Sequence, residues 1–290
     1  MTRLTLVTNP DKCNLHCPLC FLNQRGKPYG KGEMPLSVAL DSIEKYNADG
    51  NLREVIPSTM GEPLLYTYFE ELLEYCASCR IPVNLTTNGT FPGFWGTDAG
   101  IRKLLASCSD IKVSCMAFDE RTMDEMMPGL TLEAWKSNVC RLIELKRAIG
   151  GRATVSLQVT LHREMAGQAE NLLRWAEEVG VQRIKWNLPV FLSSGRNLSD
   201  KYGINDKIAL NLCRGLKSEK LRSEGSLFFE SGRLSVTRRE ECPFWKNEVW
   251  VMPDGSEEGC PNPEKRFGDP DHEGAKCEKC LLWGSSAQNS

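Results

Sequence analysis

Short apolar runs and longer amphipathic stretches alternate along this chain. Leu4–Val7, Glu54–Pro57, Pro82–Thr87, Ile111–Met116, Thr154–Leu161 and Arg183–Leu188 are short, rich in Val, Ile, Leu and Thr, and bounded by turn residues. That combination predicts strands. Between them apolar residues recur at helical spacing. Pro35–Tyr46 carries Leu36, Ala39, Leu40 and Ile43 on one face, and Tyr66–Cys79 carries Phe69, Leu72, Leu73 and Tyr75–Cys76. Ile101–Ser107, Leu132–Ile149 and Glu164–Val179 continue the pattern, with Ser37 and Thr131 as expected N-caps. Strand–helix units in series predict parallel strands joined by right-handed crossovers. Six such units, rather than eight, predict an α/β fold with an open, partial barrel. After Arg196 the rhythm fades, and a helix over Asn205–Lys220 is expected to close the barrel. The stretch 221–239 is short-stranded and polar, and Glu248–Met252 followed by Pro253-Asp254-Gly255-Ser256 predicts a hairpin. The expected division is a barrel over 1–220 and a small C-terminal unit over 221–290.

Composition narrows the class. A chain of 290 residues buries about 75% of its unfolded surface without help from disulfides. Yet it holds 13 cysteines, an odd number. No apolar signal segment opens the sequence, and no apolar run approaches the roughly 20 residues of a membrane span. The expectation is a cytoplasmic protein whose cysteines hold metal. A net charge of -2, with no dense Lys/Arg tract, gives no electrostatic case for nucleic acid.

The cysteines fall into groups. Cys13-Asn14-Leu15-His16-Cys17-Pro18-Leu19-Cys20 forms a CxxxCxxC loop directly after the first strand. Soft sulfur donors favour zinc, copper(I) or iron–sulfur clusters. A structural zinc takes four protein ligands, and an electron-carrying [4Fe–4S] cluster takes four cysteines. Three local thiolates leave one iron open to a ligand that is not cysteine. The competing assignment is a zinc loop that borrows His16 or a distant cysteine.

The spacing of this loop, its place after the first strand and the motifs downstream of it resemble the radical S-adenosylmethionine (radical SAM) superfamily. The resemblance implies a (β/α)6 partial TIM-like barrel. It also implies that the open iron chelates the amino and carboxylate groups of SAM. An electron from the cluster then cleaves a C–S bond, and the 5′-deoxyadenosyl radical takes hydrogen from a substrate C–H. Thr59-Met60-Gly61-Glu62-Pro63, after the second strand, resembles the family's Gly-Gly-Glu-Pro motif with Met60 at the first glycine. Gly61 and Glu62 are the implied contacts to the SAM amino group. Thr86-Thr87-Asn88-Gly89-Thr90 resembles a Thr-Asn-Gly turn of the family, and the segment from Ser114 resembles its Ser-x-Asp stretch, so Asn88 and Ser114 join the implied SAM contacts. Gln158 is polar inside an apolar strand. It is either a ligand contact or a pore-lining group hydrogen-bonded within the barrel.

Cys242, Cys260, Cys277 and Cys280 make the second group, with the hairpin between the first two and a terminal CxxC. The pattern resembles the abbreviated twitch form of the SPASM auxiliary domain and implies one further [4Fe–4S] cluster. A zinc ribbon would use the same four cysteines. Of the others, Cys76, Cys79, Cys108 and Cys140 are expected in the core, the last two at helix ends, and Cys115 faces the helices if Ser114 faces the lumen. Cys213 and Cys242 are candidate hydrogen donors to a substrate radical. If Cys242 is the donor, the auxiliary cluster needs another ligand.

The Thr8-Asn9-Pro10-Asp11-Lys12-Cys13-Asn14-Leu15 opening resembles enzymes acting on sugars and aminoglycosides, including neomycin-type epimerases. It implies epimerisation or dehydrogenation of a small carbohydrate-type substrate, with an external donor such as flavodoxin or ferredoxin. The absence of a segment before the first strand argues mildly against a peptide maturase, which is the alternative enzyme. A non-catalytic iron–sulfur or zinc protein is the alternative class.

Overall fold

In the computed structural model the described residues are 2–57, 60–216, 222–225, 242, 247–280 and 282. One nine-stranded sheet runs through them. Its strands are β1 (Thr2–Leu6), β2 (Leu52–Pro57), β3 (Val83–Thr87), β4 (Cys108–Cys115), β5 (Thr154–Thr160), β6 (Arg183–Asn187), β7 (Arg222–Gly225), β8 (Glu248–Val251) and β9 (Glu257–Glu258). The order is β7-β6-β5-β4-β3-β2-β1-β8-β9, parallel throughout except for the β8–β9 hairpin. This is the expected α/β architecture, and each of the six predicted barrel strands is present. The hairpin does more than was expected. β8 pairs in parallel with β1, so the C-terminal segment extends the barrel sheet at its first strand.

The helices are α1 (Phe21–Gln24), α2 (Leu36–Asn47), α3 (Phe69–Ser78), α4 (Asp98–Ser107), α5 (Glu120–Met126), α6 (Leu132–Ile149), α7 (Arg163–Ala166), α8 (Ala169–Val179), α9 (Leu198–Tyr202), α10 (Asp206–Gly215) and α11 (Pro263–Phe267). Thr131 caps α6 as expected, its side chain accepting from the Ala134 N–H. Ser37 does not cap α2, because the helix already starts at Leu36 with Pro35 before it. The expected Tyr66–Cys79 helix begins only at Phe69. The Thr67 N–H and hydroxyl both bind the Glu33 carboxylate, at 2.7 and 2.8 Å, which holds that stretch out of the helix. The expected 164–179 helix is two helices. Gln168 breaks it by accepting from the Phe118 N–H and donating to Thr122. The helix expected over 205–220 is seen as α10, capped by Asn205, while 217–220 lie outside the described residues.

Alternation along the strands sorts two environments. Leu4, Leu6, Val55, Val83, Leu85, Ile111, Val113, Val155, Leu157, Val159, Ile184 and Trp186 are buried in one core with the helices' apolar faces. The opposite face is polar. Arg3 bridges Glu54 of β2 and Glu248 of β8, Asn84 donates to Glu54, and Lys112 donates to Asn84. Arg183 pairs with Asp110, which also accepts from Ser156. Buried charges persist where they are paired and hydrogen-bonded. This belt ties β8, β1, β2, β3, β4, β5 and β6 together and leaves the C-terminal strand ends to carry the site.

Candidate metal centre

The loop that leaves β1 carries Cys13, Cys17 and Cys20, all with free, half-buried thiols. The loop is tied to itself. The Cys20 N–H donates to the Cys17 carbonyl at 3.1 Å, and Asn23 Nδ2 donates to the same carbonyl at 2.8 Å. Burial, and after it the charges of Cys20 and Cys13, push the Cys17 thiol up to about 12. Cys20 is raised by burial and also senses Cys13. The three sulfurs therefore share one electrostatic neighbourhood. Among the described residues, no three His, Cys, Asp or Glu side chains are already closed into a metal cage. His16 is exposed and belongs to no such group.

The donor set suits a thiolate-held metal. Two N–H donors already face the Cys13 sulfur: the Leu15 backbone at 3.4 Å and Asn88 Nδ2 at 3.8 Å. Such donors stabilise a thiolate once a metal has displaced its proton.

The β2 motif is bolted to the same loop. Gly61 has φ +77°, and a Cβ there would lie 2.1 Å from the Asn9 carbonyl oxygen and 2.8 Å from that of Lys12. Only glycine allows that backbone and that approach. The Glu62 N–H donates to the Lys12 carbonyl at 2.9 Å, and Asn9 Nδ2 donates to the Glu62 carbonyl at 2.7 Å. The Glu62 side chain is buried at 1% exposure. Its carboxylate accepts from Leu64 N–H, Thr87 Oγ1 and Asn88 N–H. Burial raises its pKa to about 7, against the pull of those hydrogen bonds. Its visible work is to fix the turn that carries Asn88.

Asn88 reaches back to the loop. Its Nδ2 donates to Asn14 Oδ1 at 2.8 Å, while its Oδ1 accepts from the Thr90 N–H and hydroxyl. Gly89, at φ +84°, is packed against Val113 and Trp135. The ends of β1, β2 and β3 thus form one hydrogen-bonded unit around the thiols.

Ser114 and Gln158 are register partners on β4 and β5, one strand end further round. The Gln158 Oε1 is buried and has no partner among the described residues. The two expectations for Gln158, a ligand contact or a pore-lining group, both remain open to that oxygen. Cys115, on the other face, is fully buried and bonds the Ala117 carbonyl, as expected of a core thiol. Cys76 and Cys108 are buried too. Cys79 is exposed at the end of α3, and Cys140 lies inside α6 rather than at its end.

In the C-terminal group, Cys242 packs against Cys280, and Cys277 opens the short turn that ends at Cys280. Cys242 and Cys260 flank the hairpin as expected. Asn262 Nδ2 donates to the Gly274 carbonyl at 2.7 Å, which draws the Cys260 segment toward the CxxC turn. Beside Cys260, the Arg266 Nε and Nη1 are buried without a partner among the described residues, an unmet demand for negative charge. Cys213 stands apart on α10, half-buried, its thiol pushed up to about 12 by burial.

The Radical SAM superfamily model matches residues 10–176 of this sequence. The chain belongs to the radical SAM superfamily. The matched span starts just before Cys13 and ends within α8, so it takes in the thiol loop, Gly61, Glu62, Asn88, Ser114 and Gln158. No curated protein matches the sequence. Among solved structures, the radical SAM chain is similar to Streptococcus suis SuiB bound to S-adenosylmethionine, at 17% identity and a TM-score of 0.66, covering 90% of this chain and 60% of SuiB. SuiB bound to its precursor peptide SuiA matches at 16% identity and TM-score 0.67, over 98% of this chain and 65% of that one. AnSMEcpe with bound AdoMet and Cp18Cys peptide matches at 18% identity and TM-score 0.58, over 89% and 74%. The chain thus spans about 60% of the length of SuiB. At these identities the likeness is one of fold.

Several residues that shape this radical SAM site were not singled out from sequence. Asn9 and Asn14 lie in quoted motifs, but nothing local marks them as braces. Gln24 and Glu264 are buried polar residues whose partners are far away in the chain. Radical SAM proteins bind a [4Fe–4S] cluster and SAM, and no helix among the described residues is long and apolar enough to cross a membrane.

Proposed function

We propose that this protein is an enzyme that holds a [4Fe–4S] cluster on Cys13, Cys17 and Cys20 and uses it with SAM to take hydrogen from an unactivated substrate carbon. The single observation that carries this reading is the joining of the Gly61–Glu62 and Asn88 segments to the three-thiol loop by direct hydrogen bonds. The cluster with SAM supplies one-electron cleavage of a C–S bond. The chain's own residues do the rest. The backbone at Gly61 and the Asn88 amide, tied to the three-thiol loop, would help hold SAM, with Ser114 and Gln158 at the next strand ends. The unpartnered Gln158 Oε1 is a waiting acceptor for an N–H or O–H of SAM or substrate.

The C-terminal residues, taken as a unit of about 221–290, hold a second [4Fe–4S] cluster on Cys242, Cys260, Cys277 and Cys280. The packing of Cys242 on Cys280 supports a ligand role for Cys242 and leaves Cys213 as the better candidate for a hydrogen donor. Electrons come from an external flavodoxin- or ferredoxin-type donor in a reducing cytoplasm.

Two substrate classes have specific support. A peptide substrate is supported by SuiB and AnSMEcpe, whose structures carry bound peptides. A sugar or aminoglycoside substrate is supported by the Thr8–Leu15 opening alone. The peptide reading has the broader support and is the one we adopt.

Anaerobic iron and sulfide counting with a SAM-cleavage assay tests the enzyme. Two clusters give about eight irons per chain, and reductant plus SAM yields 5′-deoxyadenosine. Bound zinc without SAM cleavage overturns the reading. Incubation in D2O then separates the reaction types. Deuterium at a product carbon marks a thiol donor and epimerisation, which Cys213→Ala abolishes. A product two electrons more oxidised, without carbon deuteration, marks dehydrogenation.

A further inference from the structure

Among the described residues of the C-terminal segment, Arg266 is a cation with two buried donors unmet. It stands near the end of α11, a short helix capped by Asn262. Its guanidinium lies flat over the Trp250 ring, 3.3 Å from the ring centre, and 4.8 Å from the centre of Phe267. Nη2 donates to the carbonyl of Pro261, the residue next to Cys260. Nε and Nη1 are buried and have no partner among the described residues. A buried N–H of a charged group left without an acceptor is destabilising. Stacking on Trp250 offsets part of that and gives the donors nothing to bind.

The nearby carboxylates are engaged elsewhere. Glu258 accepts from the Cys260 N–H at 2.7 Å and pairs with Lys265 at 3.1 Å. Glu248 pairs with Arg3. Glu264 accepts from Ser193 and Asp269. Burial lowers the Arg266 pKa to about 9, and Nη2 already holds the backbone one residue from Cys260. The unmet donors and the neighbouring sulfur are complementary.

We propose that Arg266 donates to the sulfur of Cys260 and to the auxiliary cluster that Cys260 helps to hold, and that its charge sets the reduction potential of that cluster. The proposal rests on the second-cluster reading above. A fixed cation stabilises the more negative, reduced form of a cluster, and donors to its sulfurs act in the same direction. Arg266 thus keeps the auxiliary cluster ready to accept an electron from the substrate side. The flat seat on Trp250 holds the planar fork at a fixed orientation, which a lysine would not share.

The test uses the full-length chain carrying Cys13→Ala, Cys17→Ala and Cys20→Ala, so that the remaining iron is the auxiliary iron. Its potential is read by dye-mediated titration followed by electron paramagnetic resonance, with and without Arg266→Gln or Arg266→Lys. In Arg266→Gln the reduced-to-oxidised ratio at a fixed potential falls about tenfold, equivalent to about 59 mV for a one-electron couple. Arg266→Lys keeps the charge but loses the fork, so its shift is smaller than that of Arg266→Gln. An unmoved potential in Arg266→Gln, or equal shifts in both variants, overturns the proposal. A background protein that binds no iron overturns the second-cluster reading and this proposal with it, whereas four irons with an unmoved potential overturns this proposal alone. A second measurement does not depend on the variants folding. Parent protein labelled with 15N-arginine shows a 15N hyperfine coupling to the reduced cluster, and absence of that coupling overturns the contact.

Discussion

Gln24 and Glu264 hold the same loop from opposite sides. Gln24, at the end of α1, donates to the Leu19 and Val190 carbonyls and accepts from the Leu192 N–H at 2.8 Å. Glu264, on α11 and fully buried, accepts from the Ser193 N–H at 2.7 Å and the Ser193 hydroxyl at 2.6 Å. One helix follows the first cysteine group and the other follows Cys260, so residues 190–193 set the spacing between the two. Phe21 and Phe267 stack across the same junction with ring centres 5.8 Å apart.

Removing Glu264 should uncouple the two cysteine segments. Glu264→Ala leaves the part-buried Ser193 donors and the more exposed Asp269 N–H without their acceptor, and about 2 kcal/mol of stability is lost. Glu264→Gln keeps one oxygen and loses less. Urea unfolding of both variants checks the order. Equal stability of Glu264→Ala and the parent would show that the loop does not depend on this carboxylate.

Gly61→Ala should be the most damaging single methyl in the barrel. The added Cβ meets the Asn9 carbonyl oxygen at 2.1 Å, a backbone atom that cannot move without shifting the thiol loop, and φ is +77°. A loss of roughly 3 kcal/mol is expected, from strain of 1–3 kcal/mol plus the clash. Because Asn9 and Lys12 precede Cys13, reconstituted Gly61→Ala should also lose the N-terminal iron while keeping the C-terminal iron. Full iron content would contradict the coupling.

The strands were legible because apolar, β-branched runs of five or six residues have few alternatives once turn residues bound them. The thiol loop was legible because metal-ligand spacing is a local property. What sequence could not show is how distant polar residues find each other. Gln24 meets Leu192 across 168 positions, and Arg3 meets Glu248 across 245. Neither partner is marked by a period, a motif or a charge run. The same limit hid the parallel pairing of β8 with β1, since hairpin signals say how β8 meets β9 and nothing about the other edge.

Asn88→Ala should separate turn geometry from SAM chemistry. It removes the donor to Asn14 Oδ1 and to the Cys13 sulfur as well as the acceptor for Thr90. A stability loss of about 1–2 kcal/mol is expected for these partly exposed bonds. Asn88→Asp retains the Thr90 acceptor and loses the donors to the thiol loop. If those donors matter to the site, Asn88→Asp is close to the parent in thermal unfolding and slow in forming 5′-deoxyadenosine. Normal SAM cleavage in Asn88→Asp would assign the side chain to the turn alone.

Lys112 makes the interior belt sensitive to pH. Its amine donates to Asn84 Oδ1 at 2.5 Å and lies 3.6 Å from Asp110 Oδ2. Burial lowers its pKa to about 8 from 10.5, and Arg183 adds repulsion while Asp110 opposes the shift. Below pH 8 the folded and unfolded chains both carry the proton, so the cost of burying the charge is present in full. Between pH 8 and 10.5 the unfolded chain binds more protons, and stability from this residue rises with pH. At 1.36 kcal/mol per unit, the gain over that window is at most about 3 kcal/mol. Other groups titrate there too, so the measurement is the difference between the parent and Lys112→Met. Urea midpoints taken from pH 7 to 10.5 should diverge in favour of the parent as pH rises. Parallel curves would mean that Lys112 keeps its ordinary affinity for the proton inside the barrel.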